Sequence, residues 1–311
     1  MTATAENTLG GISIQRVGPV ASAPVLAKSG RLDLIIKAGT MITTSERPHF
    51  FDKDTPVLFD ELVPGRDYGV GIDDDGFPVA ELLDSKPTAE KFFGGFHFAP
   101  GGNAGSRDGG DSTPAINPYS IWDIGFRPAC ADPRGMALVE TLGGKLFWAD
   151  IYLLDADHHE QGASRARAII ADGRDLPMKL GGQSRYRKLD YATAVEIYAG
   201  HGKRLLGAEE FFAAAYGVKE RASRDSEPTV TGALDENAIN FISKWGLFDI
   251  TGTMWQWGTD GDPDNPRPSI FGGSWLSGED AGSRYADLGY WPEFSFEDFG
   301  ARGASDHLNH A

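Results

Sequence analysis

"SKWGLFDITGTMWQWGTD", residues 243–260, holds two patterns that decide the fold. Gly246 to Asp249 reads as a short strand, and Gly252 as the turn that follows it. Trp255-Gln256-Trp257 then alternates rings with a polar residue, so one face of a sheet can bury both indoles.

Working outward, two segments have helical spacing. "DYATAVEIYAGHG", 190–202, places Ala194, Ile197 and Tyr198 on one face and stops at Gly202. "LLGAEEFFAAAYGV", 205–218, sets Glu209 and Glu210 near its start, where the helix dipole favours carboxylates, and ends at Gly217. "KLFWADIYLL", 145–154, reads as a buried strand. The "DADHH" after it offers Asp155, Asp157, His158 and His159. A metal or acid/base site is one reading. A polar loop at a strand end is the preferred one, since no second cluster points to these residues. Residues 219–238 are polar and read as a loop.

From Arg31 onward, "RLDLIIKAGTMITT", "TPVLFDELV" and "RDYGVGIDDDGFPVAEL" are short strands cut by turn residues. Asp73 to Gly76 is expected to be a hairpin turn rather than a cation loop, because no further ligands follow at loop spacing. Residues 1–30 show no clear period and read as an extended arm or, equally, a disordered tail. The expected organisation is an arm over 1–30, a small β-sandwich over 31–92 and a larger α+β domain over 93–311.

The totals limit the function. The chain has 311 residues, is 41% hydrophobic, and contains 40 Gly and 18 Pro, which suits a fold rich in turns and short strands. Lys+Arg 29 against Asp+Glu 45 gives a net charge of −16. That argues against nucleic acid and anionic membranes as partners, which need a basic footprint. Cys130 is the sole cysteine, so neither an intrachain disulfide nor a multi-cysteine zinc site can form. The N-terminus lacks a signal-peptide pattern, and no apolar run is long enough to span a bilayer. A cytoplasmic origin is expected, with any export by another route.

Residues 272–303 have no period at all. Gly272, Gly273 and Trp275 open the stretch, and Gly300, Arg302 and Gly303 close it. Between them Tyr285, Tyr290, Trp291, Phe294, Phe296 and Phe299 mix with Glu279, Asp280, Asp287, Glu293, Glu297 and Asp298. Rings of this kind suit a recognition face, because they bury much area at small rotamer cost. Ordinary core packing is the competing reading, strongest for Phe299. Arg284 and Arg302 read as structural, tying loops to carbonyls or carboxylates.

The 243–260 segment, "KRLLGAEEFFAAAYG" before it and "FGGSW" after it resemble, in order, the formylglycine-generating-enzyme type of C-type lectin fold. The end of the chain, "FGGSW…AGSR…FSFEDFGARGASDHL", together with "GGFHFAPGGNA", "NPYSIWDIGFRPACADPRGM", "FWADIYLL" and "HGKRL", resembles the phage major tropism determinant family. The resemblance runs from about Ile35 to Leu308 and is dense from Gly94. The first 30 residues do not resemble that family's prism-like N-terminal domain.

The resemblance implies an α+β C-type lectin-like fold with long glycine-rich loops, and a receptor-binding protein diversified by a retroelement. The candidate variable region is 272–308. It implies a receptor face built from Ser274, Leu276, Ser277, Asp280, Tyr285, Asp287, Gly289, Tyr290, Phe294, Phe296 and Asp298, with Phe299 also at a variable position. Adenine-directed mutagenesis of Asn- or Ile-type codons reaches Ser, Leu, Asp, Gly, Tyr and Phe but not Trp or Glu. Trp291, Glu279, Glu293 and Glu297 fall where the family is fixed, although Trp291 and Glu293 replace small residues there. The implied partners are a bacterial surface receptor, protein or glycan, and other tail proteins through the N-terminal arm. A homotrimer in the virion, at the tail tip or fibre, follows too.

Two other classes remain as alternatives. A formylglycine-generating oxidase needs a cysteine pair, through which it binds copper, and Cys130 is single and outside the segment where the pair belongs. No GxSxG, phosphate loop or HExxH is present, so no enzyme is expected. A calcium-dependent lectin would use "TDGDPDN", where Asp260, Asp262, Asp264 and Asn265 offer oxygen ligands. A plain Pro/Gly/Asp loop is the preferred reading, and no cofactor is expected.

Overall fold

The computed structural model describes residues 6–9, 11–16, 23–44, 47–88, 90–235, 237–262 and 267–308. Its first part is a β-sandwich. One sheet runs in the order Glu6–Leu9, Ile12–Arg16, Thr40–Thr43, Pro48–Phe51, all antiparallel. A second is built on Arg66–Ile72, Pro78–Leu82 and Gly94–Ala99, with Ala115–Ile116 and Trp122–Asp123 beside Gly94–Ala99. A small sheet of Leu26–Lys28, Leu34–Ile36 and Thr55–Pro56 closes the side. Ile12, Ile14, Leu26, Ile36, Ile42, Val70, Phe93, Phe96 and Ile116 fill one core between them.

This corrects two expectations. Ile12–Arg16 and Leu26–Lys28 are not an arm: they are strands whose Ile12, Ile14 and Leu26 are buried in the sandwich. Residues 1–5, 10 and 17–22 lie outside the described residues. Nor does the sandwich end at 92. Gly94–Ala99 pairs with Arg66–Ile72, so a boundary there would cut a sheet in two. The buried Asp123 holds the entry of the chain instead, accepting from Val25 N at 2.7 Å and pairing with Arg16. The hairpin turn at Asp73–Gly76 is as expected. Gly76 has φ +93°, and Asp73 Oδ1 accepts from Phe77 N at 2.7 Å.

The rest of the described chain is a body of two four-stranded sheets, the two-stranded sheet Gly102–Ser106 with Gly109–Asp111, and short helices. One sheet has the order Met136–Glu140, Leu146–Asp150, Gly303–Asp306, Arg204–Leu205, so the last strand of the chain lies between early ones. The other has the order Ala286–Asp287, Ser269–Phe271, Trp255–Gly258, Phe299–Gly300, with the last pair parallel. Helix α1 is the single turn His158–Gln161, α2 is Tyr191–Ala199 and α3 is Ala208–Ala214. Asp190 caps α2 by accepting from Thr193 N at 3.0 Å, and Ala194, Ile197 and Tyr198 are its buried face, as the spacing predicts. At α3, Glu210 reaches back to Gly207 N and binds both Arg204 and Lys145.

The opening segment behaves half as expected. Trp255–Gly258 is a strand, with Trp257 buried on one face and Gln256 on the other. Gly246 to Asp249 is not a strand but a buried loop, with Asp249 at φ +57°. Its carbonyls bond separate groups instead of a ladder. Arg302 donates to Phe248 O at 2.6 Å, Gln256 Nε2 to Asp249 O at 3.4 Å and Ser243 N to Leu247 O at 3.0 Å. The residues after Asp150 also leave the sheet while staying buried. "DADHH" is no exposed loop: Asp155 is buried on Arg165 at 2.8 Å, and His158 and His159 are buried in α1.

Candidate functional site

The stretch from 272 to 303 is a rigid frame carrying an irregular surface. Gly272 and Gly273 have φ +91° and +78°, which side chains with a Cβ avoid. A Cβ on Gly273 would sit 2.8 Å from Ala281 Cα and 2.9 Å from Asp280 O. At the other end Arg302 is 0% exposed. It donates to Gln256 Oε1 at 3.0 Å, Asp150 O at 2.7 Å, Ile151 O at 2.8 Å and Phe248 O. Burial pulls its pKa down to about 10, so it remains a cation at neutral pH. A Cβ on Gly303 would lie 2.5 Å from both Asp150 and Tyr198. Arg302 thus ties loops to carbonyls as expected. Arg284 does not: it is exposed, with its guanidinium 5.1 Å from the Phe212 ring centre.

The loop 288–298 is pinned from below by three N–H groups of residues 173–191, two on its carbonyls and one on a serine hydroxyl. Gly173 N donates to Phe296 O at 2.9 Å, Tyr191 N to Pro292 O at 3.1 Å, and Leu189 N to Ser295 Oγ at 2.8 Å. With its backbone held, the loop displays rings in contact. Phe299 is buried against Trp257 at 5.2 Å between centroids. Tyr290 lies 5.2 Å and Phe296 5.5 Å from Phe299, and Phe294 is 5.1 Å from Phe296. The series starts in the core and ends in solvent. Phe294 is 37% exposed, Phe296 45% and Trp291 51%.

The sequence-derived site residues divide by burial. Leu276, Asp280, Asp287, Gly289, Phe294 and Phe296 are exposed. Ser277, Tyr285, Tyr290 and Asp298 are half-buried. Ser274 is 1% exposed, so its side chain cannot face a partner. Its hydroxyl donates to Asp298 Oδ2 at 3.0 Å, and its N–H donates to Ser277 Oγ at 2.9 Å. Burial raises the pKa of Asp298 even so. Tyr290 packs on the cluster around Trp257, and burial first, then Asp287 and Asp298, raises its phenol. Leu276, Phe296 and Asp298 line a shallow hollow of about 510 Å³ with Gly173 and Arg174.

Three groups on this surface are absent from the sequence-derived set. Trp291 is exposed, with the Arg267 guanidinium 3.6 Å from its ring centre. Arg174 pairs with both Glu297 and Glu227. Arg174 and Arg267 lie outside 272–303, so no local pattern marks them. The Pro292 that follows Trp291 was the available hint that its ring sits on a turn.

Two other sequence features have structural roles here. Asp260 accepts from Ala208 N at 2.8 and 2.9 Å, at the start of α3. Asp264 and Asn265 lie outside the described residues, and Asp262 N donates to Leu288 O at 3.0 Å. Cys130 is buried, its thiol pushed up mainly by burial, and its Sγ donates to Asp132 O at 3.3 Å.

A tail fiber receptor-binding protein of Bordetella phage BPP-1 is 38% identical over 320 residues, spanning 92% of this chain and 83% of the relative. The chain belongs to the major tropism determinant family. Residues 24–123 match the family described as Mtd second domain; these limits take in the sandwich from Leu26–Lys28 to Trp122–Asp123 and leave out its first two strands, Glu6–Leu9 and Ile12–Arg16. The solved U1 variant of the major tropism determinant superposes with a TM-score of 0.85 at 35% identity, covering 94% of this chain and 85% of that one. The M1 variant gives 0.85 at 35%, covering 95% and 86%. The C-type lectin-like fold expected from the sequence is the fold of this family.

Proposed function

We propose that this chain is a phage tail protein that recognises a bacterial surface receptor through the face formed by Leu276, Tyr285, Tyr290, Trp291, Phe294 and Phe296. Asp280, Asp287, Gly289 and Asp298 border it, and Ser274 and Ser277 support it from beneath. The observation that carries the reading is the exposed series Phe294, Phe296, Trp291 on a backbone held by Gly272, Gly273 and Arg302. A soluble chain gains nothing in stability by leaving such rings in water, and aromatic anchors are what binding hot spots use. The receptor-binding name of the Bordetella phage relative supports the same reading.

The mechanism is binding alone, without a cofactor. Cys130 has the buried, poorly ionised thiol of a packing residue rather than a nucleophile. The protein acts in the virion as a homotrimer, attached to the tail through its N-terminal sandwich. Phe50, Leu58 and Phe77 are large, exposed and apolar on that sandwich, which supports subunit or tail contacts there. Trimeric display multiplies weak sites on one particle.

The test is a binding assay with host cells. The purified chain should bind saturably, compete with the parent phage for adsorption, and do so equally in the presence of a calcium chelator. Failure to compete would overturn the receptor reading. Loss of binding in chelator would restore the calcium-dependent lectin.

A further inference from the structure

A second hollow lies away from these loops, where the sandwich meets the body. Its volume is about 440 Å³. Arg66 and Asp84 line it from the sandwich, and Arg134, Asp157, Arg165 and Arg167 from the body. The walls touch at Gly65, where a Cβ would come within 2.6 Å of Ala166 Cβ. Four arginines and three carboxylates, Asp67, Asp84 and Asp157, therefore line one cleft, an excess of cations in a chain of net charge −16.

Two of the four are oriented from behind. Asp132 holds Arg134 through Nε at 3.0 Å and Nη2 at 2.6 Å, and the buried Asp155 holds Arg165 at 2.8 Å. Asp67, at the cleft wall, is occupied by His97 Nδ1 at 3.1 Å and Gly135 N at 3.0 Å. Asp84 and Asp157 are solvent-exposed partners of Arg66 and Arg165, where ion pairs are weak and easily exchanged. Arg167 differs from the rest. Its φ is +58°, a conformation that L-residues other than glycine adopt reluctantly. Its N–H donates to Thr231 O at 2.7 Å, and Thr231 N and Oγ1 bond Ala168, so this conformation is fixed. Among the described residues its guanidinium has no carboxylate partner, although it is exposed at the cleft.

We propose that this cleft binds a phosphate group, with Arg167 as its principal ligand and Arg165 and Arg134 as the preoriented cations behind it. Three phosphate oxygens can engage several guanidinium forks at once, which a lone carboxylate cannot. Strained backbone held by its surroundings is the kind of feature that clusters at ligand clamps. Clefts where two packed units meet are also where small ligands bind. The phosphate could be carried by a surface saccharide or be the free ion, and the two are separable.

Calorimetric titration of the full chain in low-salt buffer, with inorganic phosphate and with a hexose monophosphate, tests this. Arg167→Gly is the informative variant, since glycine suits a positive φ and the variant should melt no lower than the wild type. The expected result is saturable phosphate binding by the wild type and an affinity loss of about tenfold or more in the variant. Tighter binding of the hexose monophosphate assigns a saccharide, and equal binding assigns the free ion. No saturable heat with either probe, or unchanged affinity in Arg167→Gly, would overturn the proposal.

Discussion

Arg302 shows how one side chain fixes a surface it does not reach. It is fully buried and satisfies three backbone carbonyls and Gln256 Oε1, so the loops behind the exposed rings share one anchor. Arg302→Met keeps the bulk but removes four hydrogen bonds; Ile151 O keeps its bond from Phe248 N at 2.8 Å, while Asp150 O, Phe248 O and Gln256 Oε1 lose the guanidinium, each loss costing about 1–3 kcal/mol. The variant should melt far below the wild type by scanning calorimetry, and a near-native melting point would show that water can replace the guanidinium. His158 gives a pH prediction. It is buried, neither ring nitrogen has a hydrogen-bond partner among the described residues, and burial, with Lys203 and His201 adding to it, holds its pKa well below the usual value. Its folded pKa is depressed, so the unfolded chain takes up the proton first. Stability should fall as pH drops below the ordinary histidine pKa of about 6.5, by at most about 1.4 kcal/mol per pH unit for this one group. His158→Gln should flatten that part of a melting-versus-pH curve, and parallel curves would assign the acid sensitivity elsewhere. Tyr290 is the residue where sequence and structure part. Its neighbours Gly289 and Pro292 suggest a freely exposed ring, but it packs on Phe299, a contact made across a fold that the local sequence does not reveal.

At the scale of elements, what was legible was what is local. Helix α2 follows from its apolar spacing and from the Asp190 cap, both within one dozen residues. Asp190→Ala should therefore cost about 1 kcal/mol, read as a lowered midpoint in urea; an unchanged midpoint would show that neither the cap nor the pair with Lys188 stabilises the helix. Trp255–Gly258 was legible for the same reason, since its alternation is the strand period. Gly246 to Asp249 was not, because its backbone hydrogen bonds go to the Arg302 and Gln256 side chains and to scattered backbone groups of Ser243 and Ile151 rather than to the ladder of a neighbouring strand. Ile12-Ser13-Ile14 carried a period-two signal that could have placed the first strands in the sandwich. It was too short to read beside the irregular residues around it, and its partner Thr40–Thr43 is remote. In the candidate site, the glycines and rings could be read directly. Which rings face water depends on Gly173 and Tyr191, far back in the chain.

For the whole molecule, the account predicts a trimer, because the sandwich exposes large apolar residues that a neighbouring subunit would cover. Light scattering at micromolar concentration should give three times the chain mass, and a stable monomer would refute it. The central claim is that residues 272–303 combine a scaffold with a receptor surface, and the two must respond differently to truncation. Ala at Phe294, Phe296 or Trp291 removes rings that are only 37%, 45% and 51% exposed, so each should cost about 1 kcal/mol of stability, well short of a core ring. If these rings anchor a receptor, each loss should weaken binding by about 1–3 kcal/mol, or about five- to 150-fold. Trp257→Ala should cost about 3–5 kcal/mol of stability, and Tyr290→Ala should fall between the two groups. The decisive measurement is host-cell adsorption plotted against melting temperature for this set. The account predicts that Phe294→Ala, Phe296→Ala and Trp291→Ala lose adsorption while still folded, with melting temperatures only slightly lowered, whereas full adsorption by all three folded variants would contradict it.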